Sequence, residues 1–187
     1  VITRFKNLFK VFMKIDKNHD VIKIEELIQL YTNCFSKGLS EQHIDLNELE
    51  LYLKTFFDYG KIISIFDLDK LVGALLAIPV DFDQYFPVKL KTEFYGKNVW
   101  YIAEMMIEEK LRGKGWGQKL LNEFLSDAKQ FNISDVFIRV WNQNPAALSL
   151  YRKIGFTDVA EIEQTKTKAD LSGTFTMKKI YLQKEIS

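Results

Sequence analysis

An apolar run, Trp100 to Ile107, leads into Arg112-Gly113-Lys114-Gly115-Trp116-Gly117, and an amphipathic segment from Gly117 to Phe131 follows. Strand, glycine-rich loop and helix in that order constrain this chain more than any other stretch. Glycine lets a backbone turn tightly and approach a ligand with no side chain in the way. The N–H groups at the start of a helix have no intrahelical partner and carry partial positive charge. Such a loop can aim several amides at one anion, so the first expectation is a site for a phosphorylated cofactor.

Two familiar phosphate loops fit poorly. A P-loop needs Gly-x-x-x-x-Gly-Lys-Ser/Thr, and here Gly117 precedes Gln118-Lys119-Leu120. A dinucleotide fingerprint needs Gly-x-Gly-x-x-Gly directly off a strand and an acid at the end of the next strand. Here the glycines alternate, Glu108 to Leu111 intervene, and the next strand ends in Trp141-Asn142 without an acid.

Arg-x-x-Gly-x-Gly after an apolar strand resembles the acetyl-CoA loop of the GCN5-related N-acetyltransferase (GNAT) superfamily. A second block, Asn144-Pro145-Ala146-Ala147-Leu148-Ser149-Leu150-Tyr151-Arg152-Lys153-Ile154-Gly155-Phe156, resembles that family's Asn-x-x-Ala-x-x-x-Tyr-x-x-x-Gly-Phe segment. One helix and one strand separate the blocks, as in the family. The resemblance is strongest from about Trp100 to Phe156. It implies an α/β architecture, the acyl-CoA N-acyltransferase fold: a central mixed, mostly antiparallel sheet of about seven strands with four helices.

The 187 residues suffice for one domain with a sizeable core. Val1 to Phe12, basic and apolar by turns, reads as an extension ahead of a single domain over 13–187. It lacks the long apolar core and small-residue cleavage site of a signal peptide. A net charge of +1 gives no support to a nucleic-acid or membrane-surface role. No stretch approaches the roughly 20 apolar residues of a spanning helix. With one cysteine, Cys34, no internal disulfide is possible, which suits a reducing, cytoplasmic setting. Cys34 itself reads as a small core residue.

Along the chain, Val11 to Asp16 predicts a first strand. Asp20 predicts the cap of a helix with Ile22, Leu27, Ile28, Leu30 and Tyr31 on one face, ending at Lys37-Gly38. Ser40 and Glu41 open a second helix that Gly60 ends. Lys61 to Phe66 and Leu71 to Pro79 read as strands, and Val80 to Asn98 as a long aromatic-rich connection. Asp135 to Trp141 is a strand. Pro145 to Ile154 is a helix, with Asn144 at its N-cap and Gly155 past its end. Phe156 to Ile162 and Thr174 to Ile186 are final strands around a polar loop from Thr165 to Gly173.

The resemblance implies that acetyl-CoA, with no metal, lies against backbone amides of Arg112, Gly113, Lys114, Gly115, Trp116, Gly117 and Gln118. It implies that the end of the Trp100 to Ile107 strand splays from its neighbour and offers backbone groups of Met105 and Ile107 to pantetheine. Asn144 matches a family residue near the pantetheine; as a residue type it is equally a plain helix N-cap.

An amine that attacks the acetyl thioester must lose a proton, the oxyanion needs a donor, and the thiolate leaves more easily with a proton delivered. By resemblance Tyr151 stands where the family carries its general acid, reaching the cofactor sulfur and so also contacting acetyl-CoA; otherwise it is a tyrosine packed between helix and sheet. By resemblance the oxyanion donor is a backbone N–H near Ile107. An alkylamine of pKa near 10.4 is neutral in only about one part in a thousand at pH 7, so a base or water chain must assist. Glu104, an acid inside an apolar strand, is the candidate; its plain reading is an ion pair on a solvent-facing side. His19 and His43 read as surface residues without metal-ligand company.

By resemblance the early helices and the long connection shape an acceptor pocket. Glu41, Asp45, Glu48, Glu50 and Asp58, with Asp81, Asp83, Tyr85, Phe86, Glu93, Phe94 and Tyr95, would suit a small cationic amine. They would equally make a solvated helix face and an inward-packed loop. The expectation is therefore an acetyl-CoA-dependent N-acetyltransferase acting on a small amine by direct attack, and the resemblance implies a homodimer as one of its forms. A non-catalytic acetyl-CoA-binding or protein-interaction module of the same fold is the alternative.

Overall fold

In a computed structural model, which describes residues 13–38, 41–83 and 86–186, seven strands form one sheet. They are β1 (Met13–Asp16), β2 (Lys61–Asp67), β3 (Lys70–Pro79), β4 (Val99–Ile107), β5 (Asp135–Trp141), β6 (Thr157–Thr167) and β7 (Thr174–Glu185), in the spatial order β1-β2-β3-β4-β5-β7-β6. Every pairing is antiparallel except β4 with β5. That single parallel pair requires a crossover, and the glycine-rich loop and the helix after it supply it.

Both faces of the sheet are covered. Helices α1 (Ile24–Phe35) and α2 (Leu46–Tyr59) bury Leu27, Leu30, Leu49, Leu53 and Phe56 against Ile62, Leu76, Tyr101, Phe137 and Tyr181. On the other face α4 (Trp116–Gln130) and α5 (Pro145–Lys153) pack Leu120, Leu121, Phe124 and Leu148 against Ile63, Leu75, Ile102 and Val136. Burial on both sides explains why β2 and β3 read as unbroken apolar runs rather than alternations. Each fully buried Leu or Phe contributes about 1.5–3 kcal/mol.

The structure moves some boundaries. The first helix starts at Ile24, not after Asp20, which lies in a single 3-10 turn (His19–Val21). Glu26 decides this, because its carboxylate accepts the Lys23 N–H at 3.1 Å and fixes the start three residues later. The second helix starts at Leu46. Asp45 caps it, accepting the N–H groups of Asn47 and Glu48 at 2.9 and 3.0 Å. Glu41 to Ile44 are instead a loop held across the molecule by His43 N–H to Thr167 O at 2.9 Å; Ser40 lies outside the described residues, as do Val1 to Phe12. The long connection holds a fifth α-helix, α3 (Val88–Glu93), after Pro87. Strand β6 runs to Thr167, past the expected end at Ile162, because its Thr-rich alternation pairs with β7 throughout.

Candidate active site

Strand β4 pairs with β3 along most of its length, but with β5 only from Val99 to Ile102. Beyond Ile102 the two parallel strands part. At the same point β4 bulges: Ile102 sits opposite Ala77 and Glu104 opposite Leu76, so Ala103 is the extra residue. The bulge resets the alternation. Ile102 belongs to the α4 side of the core, whereas Ala103 and Glu104 both turn toward α1 and α2. Met105 and Ile107 return to the α4 side, where their side chains close on Gly117; a Cβ there would lie 3.5 Å from each. Glu108 N–H bonds Val72 O on β3 at 2.9 Å. By alternation the backbone groups of Ile107 and Met105 point the other way, into the gap left by β5. The Ile107 carbonyl accepts from Arg112 Nε at 3.0 Å and from the Cys34 thiol at 3.6 Å.

At the foot of this gap lies the glycine-rich loop. Gly113 and Gly115 have φ of +71° and +82°, conformations that other residues adopt only with strain. Gly115 is the N-cap of α4, and the first helical hydrogen bond is Lys119 N–H to Gly115 O at 3.1 Å. The amides of Gly115, Trp116, Gly117 and Gln118 therefore have no partner inside the helix. Arg112, Gly113 and Lys114 are exposed ahead of them. The Lys119 ammonium lies 4.0 Å over the Trp116 ring. The loop thus has the unpaired donors and the open backbone that a pyrophosphate needs.

The gap and the sheet beside it open on a cavity of about 440 Å³, which the loop reaches through Arg112 and which Glu104, Met105, Asn144 and Tyr151 also line. Glu104 does not face bulk solvent in an ion pair. It is half-buried, and Tyr52 on α2 donates to its Oε1 at 3.0 Å. Burial pushes its carboxyl above the usual range, against the Tyr52 hydrogen bond and the charges of Arg139, Lys179 and Lys166. Such a group is a poised proton acceptor. Tyr151, on α5, is 5% exposed and packs against Phe156. Its hydroxyl makes no hydrogen bond among the described residues, although the side chain lines the cavity. Burial, then the charge of Glu104, holds the phenol well above its ordinary pKa, so it stays protonated. Asn144 caps α5, its Oδ1 accepting the Ala147 N–H at 3.1 Å, and its edge also lines the cavity. Cys34 is buried, as expected of a core residue, and burial raises its thiol pKa.

Sequence reasoning missed the opposite wall. Arg139 of β5, Lys179 of β7, and Gln164 and Lys166 of β6 all line the same cavity. Register explains their meeting: Arg139 sits opposite Tyr181, Lys179 opposite Trp141 and Ile162, and Gln164 opposite Met177, all on the face beneath α1. Arg139 Nη1 donates to the Tyr181 hydroxyl at 3.3 Å. Burial opposes its charge, but Tyr101, Tyr181 and Glu104 outweigh that and keep it protonated. Burial, with Arg139 and Lys166 close by, pulls the Lys179 ammonium down to about 8 despite Glu104. Gln164 Oε1 is buried with no hydrogen-bond partner among the described residues. A charged residue within the inward alternation Phe175, Met177, Lys179, Tyr181 was the available signal.

The acids expected to favour a cationic acceptor are elsewhere. Asp45 is a helix cap, Glu50 bonds Lys54 across one turn at 2.6 Å, and Glu41, Glu48, Asp58 and Asp81 face water. Phe86 and Phe94 pack inward on Phe137, and Phe86 also meets Tyr101 and Tyr181. Tyr85 lies outside the described residues. The bland alternative, a solvated helix face and an inward-packed connection, is what these residues form.

A family model described as the acetyltransferase (GNAT) family matches residues 24–156. An uncharacterized N-acetyltransferase of Bacillus subtilis, YobR, is 35% identical over 60 residues, which are 32% of this chain and 24% of that relative. The matched stretch thus spans about a quarter of the relative's length. Among solved structures, yncA from Salmonella typhimurium, a putative acetyltransferase with its cofactor acetyl-CoA, superposes with a TM-score of 0.67 at 16% identity over 94% of each chain. The phosphinothricin acetyltransferase of Sinorhizobium meliloti, in complex with AcCoA, does so with 0.68 at 15% identity over 94% of this chain and 89% of its own. At such identities these likenesses establish the fold.

Proposed function

The chain belongs to the acetyltransferase (GNAT) family, and from that premise we propose that it transfers the acetyl group of acetyl-CoA to a primary amine by direct attack. The observation that carries this reading is a cavity where β4 parts from β5, with Arg112 of the glycine-rich loop, Glu104 and Tyr151 all on its walls. In the proposed complex, amides from Gly113 to Gln118, with Arg112 and Lys114, hold the pyrophosphate. Pantetheine lies along the gap against Met105 and Ile107, beside Asn144. Glu104, directly or through water, takes the proton of the amine. Nitrogen then bonds to the acetyl carbon, a backbone N–H near Ile107 steadies the oxyanion, and the carbon–sulfur bond breaks as Tyr151 protonates the sulfur. Residues with the roles of Cys or Ser nucleophiles are not needed: the Cys34 thiol is buried, with its pKa raised, and bonded to a carbonyl.

Calorimetric titration with acetyl-CoA tests the first half of this reading. Micromolar binding, lost in an Arg112→Ala, Gly115→Asp double variant that still folds, is the expected result. A well-folded protein that does not bind acetyl-CoA would sink the reading and leave the loop as a structural turn.

A further inference from the structure

The wall of the cavity remote from the glycine-rich loop has a chemistry that acetyl transfer to a plain amine does not require. Arg139, Lys166 and Lys179 converge there on one face of β5, β7 and β6. That face lies beneath α1, on the opposite side of the sheet from α4, so these cations are not part of the loop that caps α4. Lys166 and Lys179 make no ion pair among the described residues, and the charge of Glu104 reaches all three cations. Crowding three half-buried cations onto one wall is costly, so an apolar or merely hydroxylated acceptor would leave this wall unexplained. A purely cationic acceptor would add charge of the same sign.

We propose that the acceptor is an amine that also carries a carboxylate, an amino acid being the simplest form, with the carboxylate held by Arg139 and Lys179 and aided by Lys166. The proposal rests on the acetyl-transfer reading and names the substrate class for that site. The polar groups of the cavity then divide by task. The Glu104 carboxylate and the buried, unpartnered Gln164 Oε1 accept hydrogen bonds, so they face the amine. The guanidinium of Arg139 is planar, matches a carboxylate in two parallel hydrogen bonds, and is already oriented by the Tyr181 hydroxyl and the rings of Tyr101 and Tyr181. Lys179, opposite Trp141, adds a point charge beside it. The depressed pKa of Lys179 fits a chamber crowded with cations and short of one anion.

Trp141 also lines this cavity, so its fluorescence reports on occupancy there. The test uses the N-acetyl derivatives of the common amino acids as product analogues, each against the primary amide of its α-carboxyl, at low ionic strength and pH 7. The expected result is saturable binding of at least one acid ten-fold or more tighter than its amide. Arg139→Gln is expected to erase that gap, and Lys166→Gln, at a less packed position, to narrow it severalfold. Acids that never outbind their amides would overturn the proposal, as would a gap that survives in a folded Arg139→Gln, Lys179→Gln double variant. The acetyl-CoA titration separates this from the parent reading. Acetyl-CoA binding without acid preference removes the carboxylate and leaves acetyl transfer, whereas acid preference without acetyl-CoA binding does the reverse.

Discussion

Replacing Tyr151 by phenylalanine removes one oxygen atom from the cavity wall. That hydroxyl has no hydrogen-bond partner among the described residues, so no protein group loses its mate, and the ring keeps its packing on Phe156. The stability change is therefore expected within about 1 kcal/mol, a shift in Tm below about 4 °C for a chain of this size. Turnover is another matter. A cysteine-like thiol has a pKa near 8.5, so expelling it as a bare thiolate at pH 7 costs about 2 kcal/mol, roughly 30-fold in rate. Inside a partly dry cavity the thiolate is less well solvated, and general acids commonly contribute about 10²–10⁴-fold. The expected fall in kcat is thus between about 30-fold and 10³-fold, with acetyl-CoA affinity unchanged within about twofold. Because burial and the neighbouring Glu104 keep the phenol protonated, the wild-type profile should show no alkaline limb from Tyr151 below about pH 10. Thiol release from acetyl-CoA, measured over pH with any turned-over acceptor, is the assay. A folded Tyr151→Phe protein losing less than threefold in kcat would refute the acid role; one that loses acetyl-CoA binding instead would make the tyrosine a binding residue.

Glu104→Gln should lower kcat by about 10²-fold or more and abolish the acid limb of the pH–rate profile, since the carboxyl must be ionised to accept a proton and burial raises its pKa. Tyr52→Phe should move that limb to higher pH while activity persists, because the hydrogen bond it removes favours the ionised form; an unmoved limb would show that Glu104 is not the titrating group. Lys179 gives a prediction for stability. Its folded pKa of about 8 lies below the ordinary 10.5, so the charged form is penalised in the folded state. The penalty is present in full below pH 8 and is released as pH rises toward 10.5, so the ligand-free protein should gain stability over that window. Lys179→Met should flatten that gain in a chemical denaturation series over pH. An equal rise in the variant would assign it to other groups.

The parts of the site that local chemistry dictates were legible in the chain. Gly113 and Gly115 hold the tight, left-handed turn for which the sequence supplies glycine, and Asn144-Pro145 starts α5 as its residue types require. Local competition hid the start of α1, where Glu26 outweighed Asp20. Distance in sequence hid the basic wall. Arg139 sits in a strand buried on both faces, Lys179 in an alternation whose other face, Ile180 and Leu182, is equally apolar, and Lys166 in a stretch that reads as a polar loop. No local pattern says which side such a charge takes; only the register of β5, β7 and β6 brings the three together. The acids of α2 were conspicuous for the opposite reason, because a solvated face tolerates them at every turn.

Glu104 shows the same limit at the scale of one residue. An acid inside an apolar strand was visible, but strict alternation from Ile102 would send it to the α4 side, into packed aliphatic core. The extra residue at Ala103 turns it instead toward Tyr52 and the cavity. That bulge falls where the pairing of β4 with β5 stops, so the irregularity that opens the gap is also the one that aims the carboxylate into it. One residue more or less before Glu104 would exchange its side with that of Met105. The separation of β4 from β5 and the orientation of the candidate base are therefore a single structural feature, set by how β3 registers against β4 and not by the sequence of β4 alone.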